Sequence, residues 1–477
     1  MTVSGAPSEP HSQAASVGVD AGGDASVDAA AVVDLAARLV RLRTVHEGAG
    51  EVERPAVDLL AGLMRGYGWD VTVLEASPGR HSVIGVVGGD RPGRTLMFEG
   101  HVDVVTEGDP AGWSFDPFAG DVVGGRLRGR GSADMKAGVA AMIHAARAVQ
   151  LGGFRGRIVV GVLADEEGMM LGAKRFAADL ATGSLPGIDR IDGVIVCEPE
   201  GGEVCPVAKG AIRLVISFTG AMAHGAMPWM GRNPLPAIAG MLTAVADTEH
   251  VLRATHGEHP LLGPICLTPT VLQAGDLDQI NVMPATATLA VDIRTTPAVA
   301  HAELIAQLAD TAGRIAHDAG LTAEVTVVDD RPPVDTPVDH PVVQAMLAGH
   351  RAATGADAVI GGVPGATDGT ILTRDAGLAT VVYGPGGKWI AHQADEYVEV
   401  TDIVTSAHAY VAAARDFLGG RPGSAADPVE PADPALDRGG ADQSRADQSR
   451  GDQSRADQSR GDQSRGTGPG LPDSVRR

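Results

Sequence analysis

The feature that most constrains the fold is a set of histidine and acidic residues spaced by about the length of one strand–helix–strand unit. Three of them follow apolar, strand-like runs: His101 after residues 96–98, Glu167 after 158–164, and Glu198 after 193–197. The fourth, Asp134, precedes a predicted helix, where an isolated Asp is more often an ordinary N-cap. Parallel strands of an α/β sheet bring their carboxyl ends to one edge, so we expect these four side chains in one crevice. Because clustered carboxylates repel one another, a divalent metal ion is the expected counter-charge.

The order of the predicted strands and helices indicates an α/β protein with a second domain inserted into it. Strands and helices alternate over residues 71–199, which is typical of a doubly wound, mostly parallel sheet. From residue 210 the order becomes strand, helix, strand, strand, helix, strand, the pattern of a ferredoxin-like sandwich. The α/β pattern resumes after Pro332 and Pro333. The sequence therefore predicts a large domain formed by 28–208 and 331–420, with a smaller domain inserted at 209–330.

Both ends of the chain are expected to be disordered. Residues 1–27 are rich in Ser, Gly, Ala, Asp and Val and lack the basic and apolar segments of a signal peptide. Residues 421–477 are rich in Pro, Gly, Asp and Ser, and the sequence Asp-Gln-Ser-Arg recurs over 441–465. Such polar chain cannot bury enough apolar surface to offset its ordering entropy. Docking of a partner on the repeats is the alternative.

Charge and cysteine usage exclude several classes of function. The formal net charge of −22 argues against a nucleic-acid partner, since phosphate binding requires a basic face. The three cysteines contain no Cys-x-x-Cys pair, which favours a reduced, cytoplasmic protein. The chain has no run of eighteen apolar residues, so no membrane span is expected.

Five short motifs resemble one enzyme family, that of the acetylornithine deacetylases, succinyl-diaminopimelate desuccinylases, aminoacylases and glutamate carboxypeptidases, which are dinuclear zinc hydrolases. The resemblance extends over residues 30–418. The motifs are Gly100-His101-Val102-Asp103, the stretch 129–136, Asp165-Glu166-Glu167-Gly168, Cys197-Glu198-Pro199, and Ala391-His392 followed by Asp395-Glu396-Tyr397. Alone, a Glu-Glu pair at a helix start is usually a solvated first turn, and His392 would more often be a surface histidine. All five motifs in order outweigh those readings.

The resemblance implies two metal ions with a shared ligand. His101, Asp134 and Glu198 would hold one ion, and Asp134, Glu167 and His392 the other, so that Asp134 bridges them. Nitrogen and carboxylate ligands with an open position for water suit zinc, while cobalt or manganese could substitute.

Two further residues acquire roles from the same resemblance. Asp103 would accept the second ring N–H of His101 and so fix the tautomer of the imidazole. Glu166, next to a ligand, would act as the general base that takes a proton from the attacking water and passes it to the leaving amine.

The inserted domain is implied to mediate a homodimer and to contribute substrate contacts. In such enzymes the histidine that matches His224 reaches the neighbouring subunit's site and stabilises the oxyanion. Asn281 and Arg294 match positions that bind a substrate carboxylate, a task that the guanidinium fork suits. The alternative for Arg294 is a salt bridge at a strand end.

One loop separates this chain from the desuccinylase pattern. Residues 365–369, which include the candidate substrate-binding residues Gly365 and Thr367, resemble the desuccinylase loop, but Thr370 stands where an arginine is expected. Residues 384–388 are closer to the deacetylase and acylase branch.

The sequence therefore predicts a cytoplasmic metal-dependent hydrolase that cleaves the amide bond of an N-acyl amino acid or short peptide. A dipeptidase or carboxypeptidase with the same dinuclear site is the alternative. A non-catalytic binding protein of the same fold is disfavoured by the intact Glu166.

Overall fold

The structure is a computed structural model that describes residues 27–46 and 50–419. The predicted disordered ends, apart from Val27, lie outside the described residues. No helix in these ranges is long and apolar enough to cross a membrane. The helices are α1 (Ala29–Val40), α2 (Arg54–Gly66), α3 (Ala137–Gly152), α4 (Leu171–Ala181), α5 (Leu235–His256), α6 (His301–Ala319), α7 (Pro341–Thr354), α8 (Asp368–Ala376) and α9 (Val400–Gly419).

Within the described ranges, the strands form one large sheet and three smaller ones. In chain order they are β1 (Asp70–Ser77), β2 (Arg80–Gly88), β3 (Arg91–His101), β4 (Val122–Val123), β5 (Arg126–Arg128), β6 (Arg155–Leu163), β7 (Gly193–Val196), β8 (Val204–Ala208), β9 (Gly210–Thr219), β10 (Ala223–His224), β11 (Cys266–Ala274), β12 (Val282–Met283), β13 (Thr286–Thr295), β14 (Thr322–Arg331), β15 (Val334–Asp335), β16 (Ile360–Val363), β17 (Thr380–Val382) and β18 (Tyr397–Glu399).

The large sheet has the order β1-β2-β6-β3-β7-β17-β8-β15, and β16 pairs with β8. Its central strands β6, β3, β7 and β17 are parallel, while β1, β2 and β15 pair antiparallel near the edges. The predicted doubly wound, mostly parallel α/β sheet is therefore confirmed at its centre. The antiparallel edge strands were not expected from the sequence.

Helices cover both faces of the large sheet. On one face α1, α3, α7 and α9 surround a core in which the rings of Phe98 and Tyr410 pack with centroids 5.4 Å apart. On the other face α4 and α8 bury Phe176 and Ile371 against the sheet. Burial on both faces explains why β3, β6 and β7 are apolar runs without alternation.

The second sheet lies where the inserted domain was predicted, although the exact limits at 209–330 stay a prediction. Its strands have the antiparallel order β11-β13-β9-β14, and α5 and α6 pack on one face through Ile238, Met241 and Leu308. The chain order β9-α5-β11-β13-α6-β14 is the predicted βαββαβ pattern. Strand β11 forms one edge of this sheet and is exposed over most of its length.

Candidate metal centre

The predicted metal ligands lie together beyond the carboxyl ends of the parallel strands. His101 is the last residue of β3, and Glu198 follows β7 by two residues. Glu167 lies in the turn after β6, Asp134 in the turn before α3, and His392 in the loop after β17. Gly138 allows this convergence, because a Cβ at that position would lie only 2.1 Å from the carbonyl oxygen of Cys197. The close approach brings the start of α3 next to the strand end that carries Glu198.

One group of ligands surrounds the buried ring of His101. Its Nε2 lies 3.2 Å from Oδ1 of Asp134 and 3.2 Å from Oε1 of Glu198. Oε2 of Glu166 is farther from the same nitrogen, at 3.9 Å. The geometry thus distinguishes Glu166 from the two carboxylates that lie closest to the imidazole.

The second group forms around His392. Its Nε2 lies 3.2 Å from Oδ2 of Asp134 and 3.1 Å from Oε1 of Glu167. Asp134 therefore directs one carboxylate oxygen to each histidine, as a bridging ligand would. The ring of His392 is half exposed, with 51% of its side-chain surface accessible, whereas the side chain of His101 is 1% exposed. One group is enclosed and the other faces open space.

The side chains in both groups suit divalent cations. The buried Nε2 of His101 has no hydrogen-bond partner among the described residues. Burial, together with the nearby Asp134, raises the pKa of Glu198 to about 8. Hydrogen bonds with Asp134 and Glu167 raise the pKa of His392 to about 10. A cation between these nitrogen and oxygen atoms would supply the positive charge that the carboxylates need, and the donor set is one that zinc accepts.

Asp103 contacts His101 through its backbone carbonyl and not through its carboxylate, which was the expected acceptor. Its carbonyl oxygen accepts a hydrogen bond from Nδ1 of His101 at 2.9 Å, whereas its carboxylate oxygen is 3.6 Å away. The carboxylate instead accepts the backbone N–H groups of Glu166 and Glu167 at 3.4 and 3.2 Å. The tautomer of His101 is thus fixed by the backbone carbonyl of Asp103, which accepts the proton on Nδ1. The side chain holds the turn that carries Glu166 and Glu167.

The sequence profile of "Peptidase family M20/M25/M40" matches residues 97–416. The chain belongs to this family. It is 30% identical over 398 residues to a succinyl-diaminopimelate desuccinylase of Cereibacter sphaeroides, and the match covers 81% of this chain and 98% of the relative. A probable succinyl-diaminopimelate desuccinylase of Staphylococcus epidermidis is 27% identical, with 77% and 92% covered.

Solved structures of M20 proteins share the fold. An M20 family metallo-carboxypeptidase from Sulfolobus solfataricus superimposes with a TM-score of 0.65 at 15% identity, covering 81% of this chain and 99% of the other. A dinuclear metal-binding peptidase of the M20 family from Bacillus subtilis gives a TM-score of 0.58 at 18% identity, with 81% and 98% covered. The chain is therefore a metal-dependent hydrolase that acts on the amide bonds of acyl amino acids or peptides.

Within this M20 fold, Glu396 holds the backbone on which Asp134 lies. Glu396 is fully buried and accepts the backbone N–H groups of Ala133 and Asp134 at 2.9 and 3.2 Å. Its second oxygen forms a buried ion pair with Arg130 at 2.5 Å. Glu396 belongs to the motif Asp395-Glu396-Tyr397, from which no role for it could be predicted. Its position one residue after Asp395, in a loop, gave no sign that it would point inward.

Arg80 is a second residue that the sequence analysis missed. It begins β2, is 6% exposed, and donates to the buried carboxylate of Glu53. Its guanidinium also lies 2.5 Å from Asp165 and 3.5 Å from Asp103. Because these two aspartates hold the turn 165–170, Arg80 links that turn to the sheet. No motif marks Arg80, and only the pairing of β2 with β6 brings it to this turn.

A cavity of about 330 Å³ opens beside the metal ligands. It is lined by Asp134, Glu166, Glu167, Glu198 and His392, by Gly365 and Thr367, and by the cationic residues Arg213, Arg294, Arg331 and Lys388. Three of the four predicted substrate-binding residues thus line the same cavity as the metal ligands. The hydroxyl of Thr367 also caps α8 by accepting the N–H of Gly369 at 3.2 Å. Arg294 donates two hydrogen bonds to Asp292, at 2.7 and 3.2 Å, so the salt bridge considered as its alternative is present.

His224 and Asn281 are not among the residues that line this cavity. The structure brings the two together, because β10 pairs with β12 and the N–H of Gly225 donates to the carbonyl oxygen of Asn281 at 2.7 Å. Both residues are exposed. Their contribution to a metal centre, in this subunit or in a neighbouring one, stays a prediction.

Proposed function

We propose that the protein is a dinuclear zinc deacylase that hydrolyses N-acyl amino acids. The observation that carries this proposal is the placement of Asp134, whose two oxygens lie 3.2 Å from Nε2 of His101 and of His392. A carboxylate shared between two histidine–carboxylate groups fits two metal ions side by side. His101, Asp134 and Glu198 would hold one ion, and Asp134, Glu167 and His392 the other. Bound there, the two ions would polarise the amide carbonyl and make a water molecule more acidic.

Glu166 is the general base in this proposal. It lines the cavity but lies 3.9 Å from Nε2 of His101, farther than the ligand carboxylates. Burial raises the pKa of Glu166 well above its usual value, which suits a carboxyl that must hold a proton between two steps. The carboxyl takes a proton from the attacking water and delivers it to the leaving amine nitrogen. The N–H···carboxylate contact with Asp103 keeps Glu166 at the edge of the cavity.

The residues around the cavity support a substrate with a carboxylate next to the amide. Arg294 lies in the cavity wall and retains donors beyond its pair with Asp292. Gly365 and Thr367 lie on the loop before α8, where they can position the rest of the substrate. A carboxypeptidase or dipeptidase is the second candidate, because Arg294 can bind the terminal carboxylate of a peptide equally well. The desuccinylase name of the Cereibacter relative favours an acyl amino acid.

We further propose that the active form is a homodimer in which His224 acts on the partner's site. His224 and Asn281 are exposed on the inserted domain, as residues that act on another subunit would be. Large apolar side chains near them are exposed as well, including Trp229 at 74%, Leu277 at 92% and Ile280 at 85%. Surfaces of this kind favour burial against a second copy.

A cytoplasmic location completes the proposal. All three cysteines are free thiols, and Cys197 and Cys205 are buried. A chain without disulfides fits a reducing compartment.

The experiment that tests the function is a hydrolysis panel with the zinc-loaded protein. It should contain N-acetyl, N-succinyl and N-formyl amino acids together with dipeptides. We expect turnover of at least one acyl amino acid and its loss after chelation. Turnover of dipeptides alone would select the peptidase candidate. A zinc-loaded protein that hydrolyses none of them would contradict the proposal.

A further inference from the structure

The inserted sheet presents three arginines to the cavity on one face. Antiparallel pairing sets Arg213 of β9 opposite Asp292 of β13 and Asp329 of β14. Two residues away, Ala211 stands opposite Arg294 and Arg331. Residues directly opposite, and residues two apart, share a face of a sheet. We call this set the arginine face: Arg213, Arg294, Arg331, Asp292 and Asp329 around the small side chain of Ala211.

The three guanidinium groups differ in how many hydrogen bonds they already donate to neighbouring residues. Arg331 donates to Asp329 at 2.6 Å and to the carbonyl oxygen of Gly168, and its side chain is 8% exposed. Arg294 is bound by Asp292 through two hydrogen bonds. Arg213 reaches Asp329 and Asp292 only at 3.7 and 4.0 Å.

Arg213 therefore keeps its donors available. Its side chain is 44% exposed, and it donates no hydrogen bond to any residue that the structure describes. The two aspartates nearest to it are already engaged more closely by Arg294 and Arg331. An additional carboxylate in the cavity would find a planar fork of N–H donors on Arg213, the geometry that guanidinium–carboxylate recognition requires.

We propose that Arg213 binds a second carboxylate of the substrate, distinct from the one assigned to Arg294. The preferred substrates are then N-acyl amino acids that carry an additional acidic group. This inference rests on the proposed deacylase function of the same site. The charge of the arginine face supports it, because three guanidiniums face only two carboxylates there and the cavity is shared with the metal ligands.

The additional acid can belong to the acyl group or to the amino-acid side chain, and paired substrates distinguish the two. N-succinyl-L-leucine is compared with its neutral succinamoyl analogue, and N-acetyl-L-glutamate with N-acetyl-L-glutamine. We expect the zinc-loaded wild type to prefer the acidic member of one pair by about tenfold or more in kcat/KM, as a charge-assisted hydrogen bond allows. The pair that shows the preference identifies the source of the carboxylate.

Arg213→Gln should abolish this preference by raising KM for the acidic member about tenfold or more. The kcat for the acidic member, and both kcat and KM for the neutral member, should stay nearly unchanged. Arg213→Lys, which keeps the charge without the fork, should restore part of it. Arg38→Gln is the matched control. Arg38 has a 46% exposed side chain and a 3.7 Å pair with Asp34, close to the 44% and 3.7 Å of Arg213, but it lies on α1 away from the cavity.

Equal hydrolysis of acidic and neutral members by the wild type, or a preference that survives in Arg213→Gln, would overturn the inference. If no amide in the panel is hydrolysed, the proposed function fails, and binding of free succinate by calorimetry then decides the role of Arg213. Weaker succinate binding by Arg213→Gln than by Arg38→Gln supports it. Equal binding by the two variants contradicts it.

Discussion

The metal centre and the tip of the inserted domain that carries His224 differ in how completely one chain builds them. At the candidate metal centre, buried His101, Asp134 and the supporting Glu396 are fixed by contacts within 3.2 Å. At the tip, His224 and Asn281 are exposed, and among the residues that the structure describes the ring of His224 has one hydrogen bond, accepted from the N–H of Ala226 at 3.0 Å. One region is organised by its own chain, and the other presents His224 and Asn281 outward.

This difference indicates which contacts hold the side chains of each region in place. Carboxylates can be held close together only if the surrounding fold opposes their repulsion, and here backbone N–H groups and buried arginines do so. The tip has no such support in the described part of the chain. In the homodimer proposed above, its residues need only be positioned when a substrate and a second subunit are present, so the two regions should respond differently to mutation.

The largest catalytic effect is expected at the organised region, from Glu166→Gln. The change removes the proton acceptor but keeps the shape of the cavity, so kcat should fall by about two to four powers of ten. KM and zinc content should stay close to those of the wild type, because the lost interaction belongs to the transition state. Steady-state kinetics with zinc analysis on the same sample measures both.

Glu167→Gln is the matched comparison, since it alters the neighbouring carboxylate, which lies 3.1 Å from Nε2 of His392. It should lose zinc as well as activity. Wild-type turnover by Glu166→Gln would remove this residue from its assigned role.

At the tip, His224→Ala should lower kcat by about two to three powers of ten, as expected when one oxyanion donor is removed. The two regions can then be tested together by co-expressing the His224→Ala and Glu166→Gln chains. If His224 acts on the partner's site, random assembly leaves about a quarter of the sites with both residues intact, and activity should recover to about that fraction. No recovery in a mixed dimer would show that His224 acts within its own subunit or not at all.

A smaller effect is expected on the stability of the zinc-free protein. His392 and Glu198 have pKa values raised from 6.5 to about 10 and from 4.5 to about 8 in the fold. A group whose pKa is higher in the folded state stabilises the fold below its unfolded pKa and loses that contribution as pH rises through the folded pKa. The Tm of chelated protein should therefore fall by a few degrees between about pH 5 and about pH 9.

Zinc should remove this pH dependence, because the cation replaces the protons on these side chains. Scanning calorimetry of chelated and zinc-loaded samples measures the contrast. Glu198→Gln provides the control and should flatten the slope of the chelated protein. A Tm that rises with pH in the chelated wild type would argue against the raised pKa values.

The sequence predicted what short motifs and strand order determine, and it missed what depends on distant pairing. The five predicted metal ligands follow strand ends or short motifs, so their convergence could be inferred from spacing and resemblance. Arg80 and Arg213 carry no motif. Their positions depend on the register of β2 with β6 and of β9 with β13 and β14, which a single sequence does not specify.

Asp103 shows that a motif can predict which residue contacts a side chain without predicting which of its atoms does so. The spacing His-x-Asp predicts that Asp103 supports the ring of His101, yet the same residue offers both a carbonyl and a carboxylate oxygen. Which of them meets the ring depends on the local turn, and the structure places the carbonyl at 2.9 Å and the carboxylate at 3.6 Å from Nδ1.

The central claim is that Asp134 joins two metal ions into one site, and the zinc content of Asp134→Ala tests it most directly. Elemental analysis after loading and gel filtration should find two zinc ions per chain in the wild type and about one in His392→Ala, which keeps the enclosed group around His101. Asp134→Ala should retain almost none, since both groups lose a ligand. Retention of two ions by Asp134→Ala, with the chain still folded, would contradict the bridging role.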